Sequence, residues 1–330
     1  MKGKHHIIIE TGNIKYEFDI KRNITVVQGD SATGKTTMVD IINEYAAKGK
    51  NQGIRIESDV NCVVFTASDD NWKYTLDGYS KSIIFIDEDY HFVFSKDFAD
   101  YLDGSDNYYV IITRKPLKNV PYSIKEIYGI RTSGKYHFPE QVYNEFYPIY
   151  HEVSQENPFQ VMILTEDKKS GFQFFENLTG REKCKSADGN ANVYAKMIEL
   201  SQTNDLLIIA DGAAFGAYVD KVFKYAKLKG HIALYFPESF EWLLLRSDVL
   251  ADKSISELLE HPEDYIDSSK YISWERFFTA LLIEKTESTS YKRYNKSQLA
   301  PFYLEGSNLN KILNVIPEGI RKLIEKPGEG

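Results

Sequence analysis

One short glycine-rich stretch constrains the fold of this chain more than any other: "GDSATGKT", residues 29 to 36. It follows the apolar run "ITVV" and leads into "TMVDIINEYAAK", whose apolar residues recur at helical spacing. The stretch fits G-x-x-x-x-G-K-[ST], in which glycines let backbone N–H groups turn inward around a phosphate. It therefore predicts a phosphate-binding loop between a buried strand and a helix.

The side chains of this loop have separate expected roles. Lys35 is expected to neutralise β- and γ-phosphate oxygens, and the Thr36 hydroxyl is expected to hold Mg²⁺, while the helix N-terminus adds partial positive charge. The predicted ligand is ATP or GTP with Mg²⁺. The predicted nucleotide-binding residues are Gly29, Ser31, Thr33, Gly34, Lys35, Thr36 and Thr37.

A metal ion at such a loop needs a further carboxylate, and "SIIFIDED" supplies one at the end of an apolar run. Asp87 is predicted to hold the metal, and Glu88 is predicted to polarise the attacking water. The alternative for Glu88 is a solvated acidic cluster with Asp89. A third run, "YYVIITR", ends in Thr113 and Arg114, either a sensor of the γ-phosphate or an ordinary ion-pairing arginine.

The apolar runs of the first half predict a sheet covered on both faces. Two alternating runs around "TGN" predict a β-hairpin over residues 6 to 20. The later runs "CVVF", "SIIFID" and "YYVIIT" are continuous rather than alternating and are separated by helical segments. Continuous apolar strands of this kind are typical of a mostly parallel sheet in an α/β fold.

At 330 residues the chain is longer than a single core usually grows, so more than one domain is expected. The polar stretch "HEVSQENP" at 151 to 158 is the predicted boundary, and beyond it four apolar strands alternate with three helices. The predicted domains are 1–150, an ATPase-like α/β domain; 151–250, a second α/β domain; and 251–330, a helical extension.

Composition limits the possible partners and the compartment. The net charge of −8 argues against broad attraction to nucleic acid, so any DNA or RNA contact is expected to be focused. Two cysteines in unrelated contexts suggest neither a disulfide framework nor a zinc site. No apolar run has the length of a signal peptide or a membrane helix. We therefore expect a cytoplasmic protein that does not enter a membrane.

Carboxylates end successive strands of the second α/β series. Glu166 ends "VMILTE", Asp211 ends "LLIIAD", and Glu238 and Glu241 follow "HIALYF". The carboxyl ends of parallel strands share one edge of a sheet, where α/β proteins place their ligands. Oxygen ligands of this kind suit Mg²⁺. The predicted ligands of a second metal site are Glu166, Asp211 and Glu238, with Glu241 as a further candidate.

The hairpin, "GDSATGKTT" and "IIFIDED" together resemble the ABC/SMC-like branch of P-loop ATPases, over roughly the first 140 residues. The chain departs from that branch in having no LSGGQ-type signature before "SIIFIDED" and no clear switch histidine after "VIIT". The resemblance implies ATP binding more directly than vigorous hydrolysis or formation of an ATP sandwich dimer.

The order of elements from 158 to 250 resembles the Toprim fold of topoisomerases, primases and OLD-family nucleases. In that family the first strand ends in a glutamate involved in acid/base chemistry, and a later strand ends in Asp-x-Asp. Glu166 matches the glutamate and Asp211 the first aspartate, whereas Ala213 stands at the second. The resemblance implies that Glu166 and Asp211 are catalytic, and together with Glu88 of the first domain they are the predicted catalytic residues.

Two hypotheses for function follow. In the first, an ATPase controls a Toprim-like, Mg²⁺-dependent domain that acts on DNA or RNA, and the resemblance to OLD-family proteins implies a role in defence against phages or mobile elements. In the second, the Toprim-like domain is inactive, and the chain is a nucleotide-dependent sensor or scaffold with a protein partner. A homo-oligomer is expected in either case. The stretch "YKRYNKSQ", residues 291 to 298, is either a solvated basic face or a nucleic-acid contact.

Overall fold

Strands that are apolar on both faces alternate with amphipathic helices in each half of the chain. The structure, a computed structural model, describes residues 1–29, 34–48, 53–132, 142–153 and 161–324. The chain divides into two units, which we call the first unit (Met1–Ile149 with His261–Ser273) and the second unit (Tyr150–Glu260 with Trp274–Gly330). The segment 261–273 therefore returns to the first unit after the chain has entered the second.

The strands of the first unit are β1 (His5–Glu10), β2 (Ile14–Ile20), β3 (Ile24–Val27), β4 (Arg55–Glu57), β5 (Asn61–Val64), β6 (Ser82–Ile86), β7 (Tyr108–Ile112), β8 (Ile127–Thr132) and β9 (Val142–Pro148). Its helices are α1 (Lys35–Lys48), α2 (Trp72–Leu76) and α3 (Lys96–Leu102). Within the described residues these strands form one nine-stranded sheet in the order β4-β1-β2-β9-β8-β3-β7-β6-β5.

Burial explains which parts of this sheet are parallel. Every residue of β3, β6 and β7 is buried, and β3–β7, β6–β7 and β5–β6 pair in parallel. Strands β1 and β2 pair antiparallel as the predicted hairpin, with residues that alternate between buried and more exposed positions. Strands covered on both faces are continuous and apolar, whereas hairpin strands with one wet face alternate.

The strands of the second unit are β10 (Met162–Thr165), β11 (Cys184–Ser186), β12 (Leu206–Ile209) and β13 (Ile232–Tyr235). Its helices are α4 (Ser170–Thr179), α5 (Val193–Leu200), α6 (Val219–Lys229), α7 (Phe240–Arg246), α8 (Lys253–Glu260), α9 (Trp274–Thr286), α10 (Gly306–Val315) and α11 (Glu318–Ile324). In the described part of this unit the strands form one parallel sheet in the order β11-β10-β12-β13.

The prediction of a mixed α/β chain with a large, mostly parallel sheet and a second parallel sheet is confirmed. In α9 the apolar residues Trp274, Phe277, Phe278 and Leu281 recur at helical spacing and are all buried. Across the described ranges, no helix is both long and apolar enough to cross a membrane.

Candidate functional sites

The predicted phosphate loop lies at the carboxyl edge of the first unit's sheet. Strand β3 leads into the loop, and α1 begins at Lys35 directly after it. The register pairs Val27 with Ile112 on β7, and Ile111 with Ile86 on β6, so the three strands end at the same level. The segments that follow β3, β7 and β6 therefore share one edge. Ser31 and Thr33 lie outside the described residues.

The end of the loop is held by a tyrosine from the hairpin. The Tyr16 hydroxyl of β2 donates to the Gly34 carbonyl oxygen at 2.8 Å, and Tyr16 is almost fully buried. Gly34 has φ +88°, and a Cβ there would approach the Tyr16 hydroxyl to 2.8 Å. Only glycine meets both conditions without strain. Glycine at this position is thus required by the backbone conformation and by the close approach of Tyr16.

Lys35 turns back onto its own loop. Its Nζ donates to the Gly29 carbonyl oxygen at 2.9 Å, and its side chain is buried. Thr36 and Thr37 are exposed on the first turn of α1, so their hydroxyls can be reached by a ligand. A lysine over the loop and a threonine at the helix start are the donors that a phosphate and its Mg²⁺ require.

Asp87 follows β6 at the same edge, and β7 lies between β6 and β3 in the sheet order. Its Oδ1 accepts the backbone N–H of Glu88 at 2.8 Å. Burial raises the pKa of Asp87, the Glu88 N–H opposes that change, and the charges of Asp89, Glu88 and Asp40 add to the rise. A cation is the charge that this group of acidic side chains would favour.

Glu88 and Arg114, the predicted water-positioning residue and γ-phosphate sensor, bind each other. Arg114 Nε donates to Glu88 Oε2 and Arg114 Nη2 donates to Glu88 Oε1, each at 3.0 Å. Thr113 instead binds locally, since its hydroxyl donates to the Lys115 carbonyl oxygen. In this state both oxygens of Glu88 are engaged by a two-pronged guanidinium contact.

In the second unit the structure brings two predicted carboxylates together. Glu166 follows β10 and Asp211 lies just beyond β12, and these strands pair in parallel with Thr165 opposite Ile209. The backbone N–H of Asp211 donates to Glu166 Oε2 at 3.1 Å. Asp211 Oδ1 in turn accepts the N–H of Phe240 at 3.1 Å. The carboxylates are thus held by backbone donors at the carboxyl edge of the sheet.

Close packing of the chain after β12 against the chain after β13 fixes this arrangement. The Gly212 N–H donates to the Pro237 carbonyl oxygen at 2.6 Å, and the Ala213 N–H donates to the Glu238 carbonyl oxygen at 3.1 Å. A Cβ at Gly212 would lie 2.8 Å from the Phe236 carbonyl oxygen. Glycine is required here because the two backbones approach too closely for a side chain.

A lysine lies among the carboxylates of the second unit. Lys296 Nζ is 2.7 Å from Glu275 Oε1 and 3.5 Å from Glu241 Oε1. Burial acts to lower the pKa of Lys296, but the charges of Glu241, Glu275 and Asp211 outweigh it and leave that pKa above its usual range. We call Glu166, Asp211, Glu241, Glu275 and Lys296 the carboxylate–lysine cluster.

A buried tyrosine completes the surroundings of Glu241. The Tyr294 hydroxyl donates to Glu241 Oε1 at 2.6 Å and lies 2.7 Å from the Ser170 hydroxyl. Because its one proton goes to Glu241, it accepts the proton of Ser170. Glu241 Oε2 is buried and has no hydrogen-bond partner in the part of the chain that the structure describes. The prediction for "YKRYNKSQ" is wrong at Tyr294, which is buried against Glu241, and at Lys296, which belongs to the cluster.

A cavity of about 30 Å³ borders the cluster, with Glu166, Asp211, Glu241, Lys169 and Lys296 in its lining. That volume has room for one or two water molecules. Burial, reinforced by the charge of Glu275, raises the pKa of Glu166 to about 8. Burial and then the charge of Glu166 raise the pKa of Asp211 well above its usual range. Neutral forms of these carboxyl groups are favoured because ionisation inside the cluster is costly.

The expected metal ligands of the second unit do not converge as a set. Glu238 is buried, lies outside the lining of the cavity, and meets the chain after β12 through its backbone carbonyl. Glu241 lines the cavity, and its charge acts on Asp211 together with the charges of Glu166 and Glu275. Across the residues that the structure covers, no group of three or more His, Cys, Asp or Glu side chains has an arrangement that could hold a metal ion.

Sequence reasoning missed Glu275, Tyr294, Lys296 and Ser170. Glu275 lies in the first turn of α9, where an acidic residue is ordinary helix chemistry. Lys296 and Tyr294 lie in a stretch whose composition looks like a polar surface. Their one local signal is the tyrosine between basic residues, which does not distinguish a buried network from an exposed patch.

Comparison of the chain with protein-family models, with curated proteins and with solved structures gave no match in any of the three.

Proposed function

We propose that this chain is a nucleotide-dependent switch, in which the first unit binds ATP with Mg²⁺ and the nucleotide state controls the second unit. The observation that carries the proposal is the shared edge of β3, β7 and β6. The phosphate-loop motif begins α1 directly beyond β3, and Asp87 follows β6 at the same edge. Phosphate-binding lysine, hydroxyl and carboxylate groups are thereby gathered on one side of the sheet.

The chain's own residues have definite tasks in this proposal. Bound nucleotide supplies the γ-phosphate, and Lys35 exchanges the neutral Gly29 carbonyl for its negative oxygens, a stronger charge-assisted contact. Thr36 and Asp87 would hold Mg²⁺. Tyr16 keeps the Gly34 carbonyl in place, so the end of the loop next to α1 is held before the ligand arrives. Glu88 can serve water only after Arg114 releases it.

The polypeptide itself connects the first unit to the carboxylate–lysine cluster of the second unit. Segment 261–273 belongs to the first unit, where Asn23, next to β3, donates to the Ser268 and Tyr271 carbonyl oxygens. Glu275 follows that segment by two residues and belongs to the carboxylate–lysine cluster. A change at β3 can therefore reach the cluster along the chain itself.

Nucleotide binding is tested by titrating a fluorescent ATP analogue into the purified chain with Mg²⁺. Lys35→Ala is expected to weaken binding by roughly 100-fold, because it removes charge-assisted contacts to two phosphates. Lys48→Ala, at the far end of α1 and paired with Glu44, is the matched control and is expected to bind normally. Equal binding by the wild type and Lys35→Ala would refute the proposal.

A second candidate function is Mg²⁺-dependent action on DNA or RNA by a Toprim-like second unit, with Glu166 and Asp211 as catalytic residues. The convergence of these two carboxylates beyond adjacent parallel strands favours it. The test is incubation with plasmid DNA and with RNA, with Mg²⁺ or Mn²⁺, with and without ATP. Cleavage that Glu166→Ala abolishes would support this candidate; no cleavage under all of these conditions would leave the switch, with a protein partner for the second unit.

A further inference from the structure

The loop that carries Lys296 is bound to helix α4 at Lys296 and at residues that follow it. The Ser170 N–H donates to the Lys296 carbonyl oxygen at 2.9 Å. The Gln173 side chain donates to the Ser297 carbonyl oxygen at 2.9 Å and accepts the Leu299 N–H at 2.8 Å. Ordering a lysine in a cluster costs conformational freedom. Here the backbone at Lys296 is already held by the fold, which lowers the cost of placing the ammonium group among the carboxylates.

The Lys296 ammonium group offsets the negative charge of carboxylates that are shielded from water. Glu241 is 1% exposed, and its Oε1 accepts the Tyr294 hydroxyl and lies near Lys296 Nζ. Glu275 is 23% exposed and makes the shorter ion pair with Lys296. Glu166 and Asp211 also interact with the lysine charge through space. Lys296 therefore interacts electrostatically with four carboxyl groups, which belong to separate elements of the fold.

The oxygens that a divalent ion would need already have other partners. Glu166 Oε2 and Asp211 Oδ1 each accept a backbone N–H, and Glu241 Oε1 accepts Tyr294. Mg²⁺ requires near-octahedral oxygen ligands at about 2.1 Å. An ammonium group beside the same oxygens also repels a divalent cation. The donor set of this unit therefore does not fit the metal site that a Toprim-like reading implies.

We infer that Lys296 is the resident cation of this cluster: it supplies from within the chain the positive charge that a metal supplies in related arrangements of carboxylates, and it keeps divalent ions out. Glu241 Oε2 marks where an ion would enter if the lysine were removed, because it is buried, lacks a hydrogen-bond partner among the described residues and belongs to a residue that lines the cavity. The inference does not depend on nucleotide binding by the first unit.

The test counts bound Mn²⁺ by electron paramagnetic resonance, using the full chain without nucleotide. All variants carry Asp87→Asn, which removes the carboxylate expected to hold metal in the first unit. With Lys296 intact we expect no ion bound at the cluster. Lys296→Met is expected to gain a single site, with affinity at least about tenfold higher than the parent, because an ammonium charge is removed beside several carboxylates. Adding Glu241→Gln to Lys296→Met is expected to weaken that site again.

Lys169→Met is the matched control. Lys169 lines the same cavity, but its Nζ pairs with Asp167 at 2.8 Å, so its loss is expected to create no metal site. The inference is overturned if the Asp87→Asn parent binds Mn²⁺ and Glu166→Gln abolishes that binding. It is also overturned if folded Lys296→Met gains no ion. Should Lys296→Met fail to fold, the parent titration still decides, and Lys296→Gln provides the second variant.

Discussion

Each unit places a lysine near the carboxyl edge of a parallel sheet, and the two lysines meet different partners. Lys35, in the first unit, donates to the neutral carbonyl oxygen of Gly29. Lys296, in the second unit, lies between the carboxylates of Glu241 and Glu275. In the first arrangement the lysine binds the backbone of its own loop, whereas in the second it binds carboxylate side chains of the protein.

The difference shows that strand-end position alone does not determine what a site binds. Open α/β sheets offer ligands the same edge in both units. What differs is the observed partner of each lysine. Lys35 donates to a backbone carbonyl oxygen of its own loop, whereas Lys296 pairs with carboxylates of other segments of the chain. The first arrangement suits the nucleotide-binding role proposed for it, and the second suits a charge-balanced structural core.

The largest expected effect is on stability, and it comes from removing the lysine of the second unit. Lys296→Met leaves Glu241 and Glu275 without their cation, and loss of one partner of a largely buried ion pair typically costs about 3–5 kcal/mol. We expect a clear fall in the midpoint of urea unfolding followed by circular dichroism. Lys296→Arg, which keeps the charge, is expected to fall less, and Lys169→Met to change by less than about 1 kcal/mol. Equal midpoints for Lys296→Met and Lys169→Met would remove the contrast between the two lysines.

A smaller effect is expected from pH. The pKa of Glu166 is about 8 in the folded chain, above its usual value of 4.5, so the folded state binds the proton more tightly. Its contribution to stability is complete below about pH 4.5 and is lost as pH rises through about 8. Relative to the wild type, Glu166→Gln is expected to remove this pH dependence of stability over that range. Melting temperatures at several pH values provide the measurement.

The exposed glutamate Glu182 gives the control for that pH series, since Glu182→Gln is expected to leave the pH dependence unchanged. A wild type whose stability has the same pH dependence as Glu166→Gln would contradict the burial assigned to Glu166. Glu166 would then be as accessible to water as the acidic groups of the first unit, and this difference between the two units would not hold.

The smallest expected effect on stability concerns the ion pair of the first unit. Arg114→Gln breaks the contacts to Glu88, but both side chains are partly exposed, so we expect a loss of less than about 1 kcal/mol. We expect Arg114→Gln to change ATP turnover more than stability, because the substitution releases Glu88 from its partner. Turnover per chain is measured at saturating ATP. A destabilisation as large as that of Lys296→Met would show that charged side chains of the first unit also serve mainly to stabilise the fold.

The sequence predicted the elements of both sheets because their signals are local. Continuous apolar runs mark β3, β6 and β7, and the phosphate-loop pattern is confined to eight residues, 29 to 36. The position of Glu166 next to Asp211 also followed from strand order alone. The carboxylate–lysine cluster did not, because Glu275 and Lys296 are distant in sequence from both strands. Contacts of that kind leave no periodic pattern.

The return of segment 261–273 to the first unit was equally hidden. Its backbone is bound by Asn23 and by the Gly3 N–H, which donates to the Glu263 carbonyl oxygen. Backbone carbonyls of any residue type can make such contacts, so composition gives no sign of them. Local patterns predict elements and motifs, whereas burial of charge depends on which segments, distant in sequence, pack together in the folded chain.

The most direct test of the contrast between the units is the number of divalent ions bound per wild-type chain, measured by equilibrium dialysis and elemental analysis. Dialysis against Mn²⁺ is done with and without a non-hydrolysable ATP analogue. We predict no tightly bound ion without the analogue and a single ion with it, held in the first unit and lost in Asp87→Asn. An ion bound without nucleotide and lost in Glu166→Gln would contradict the account.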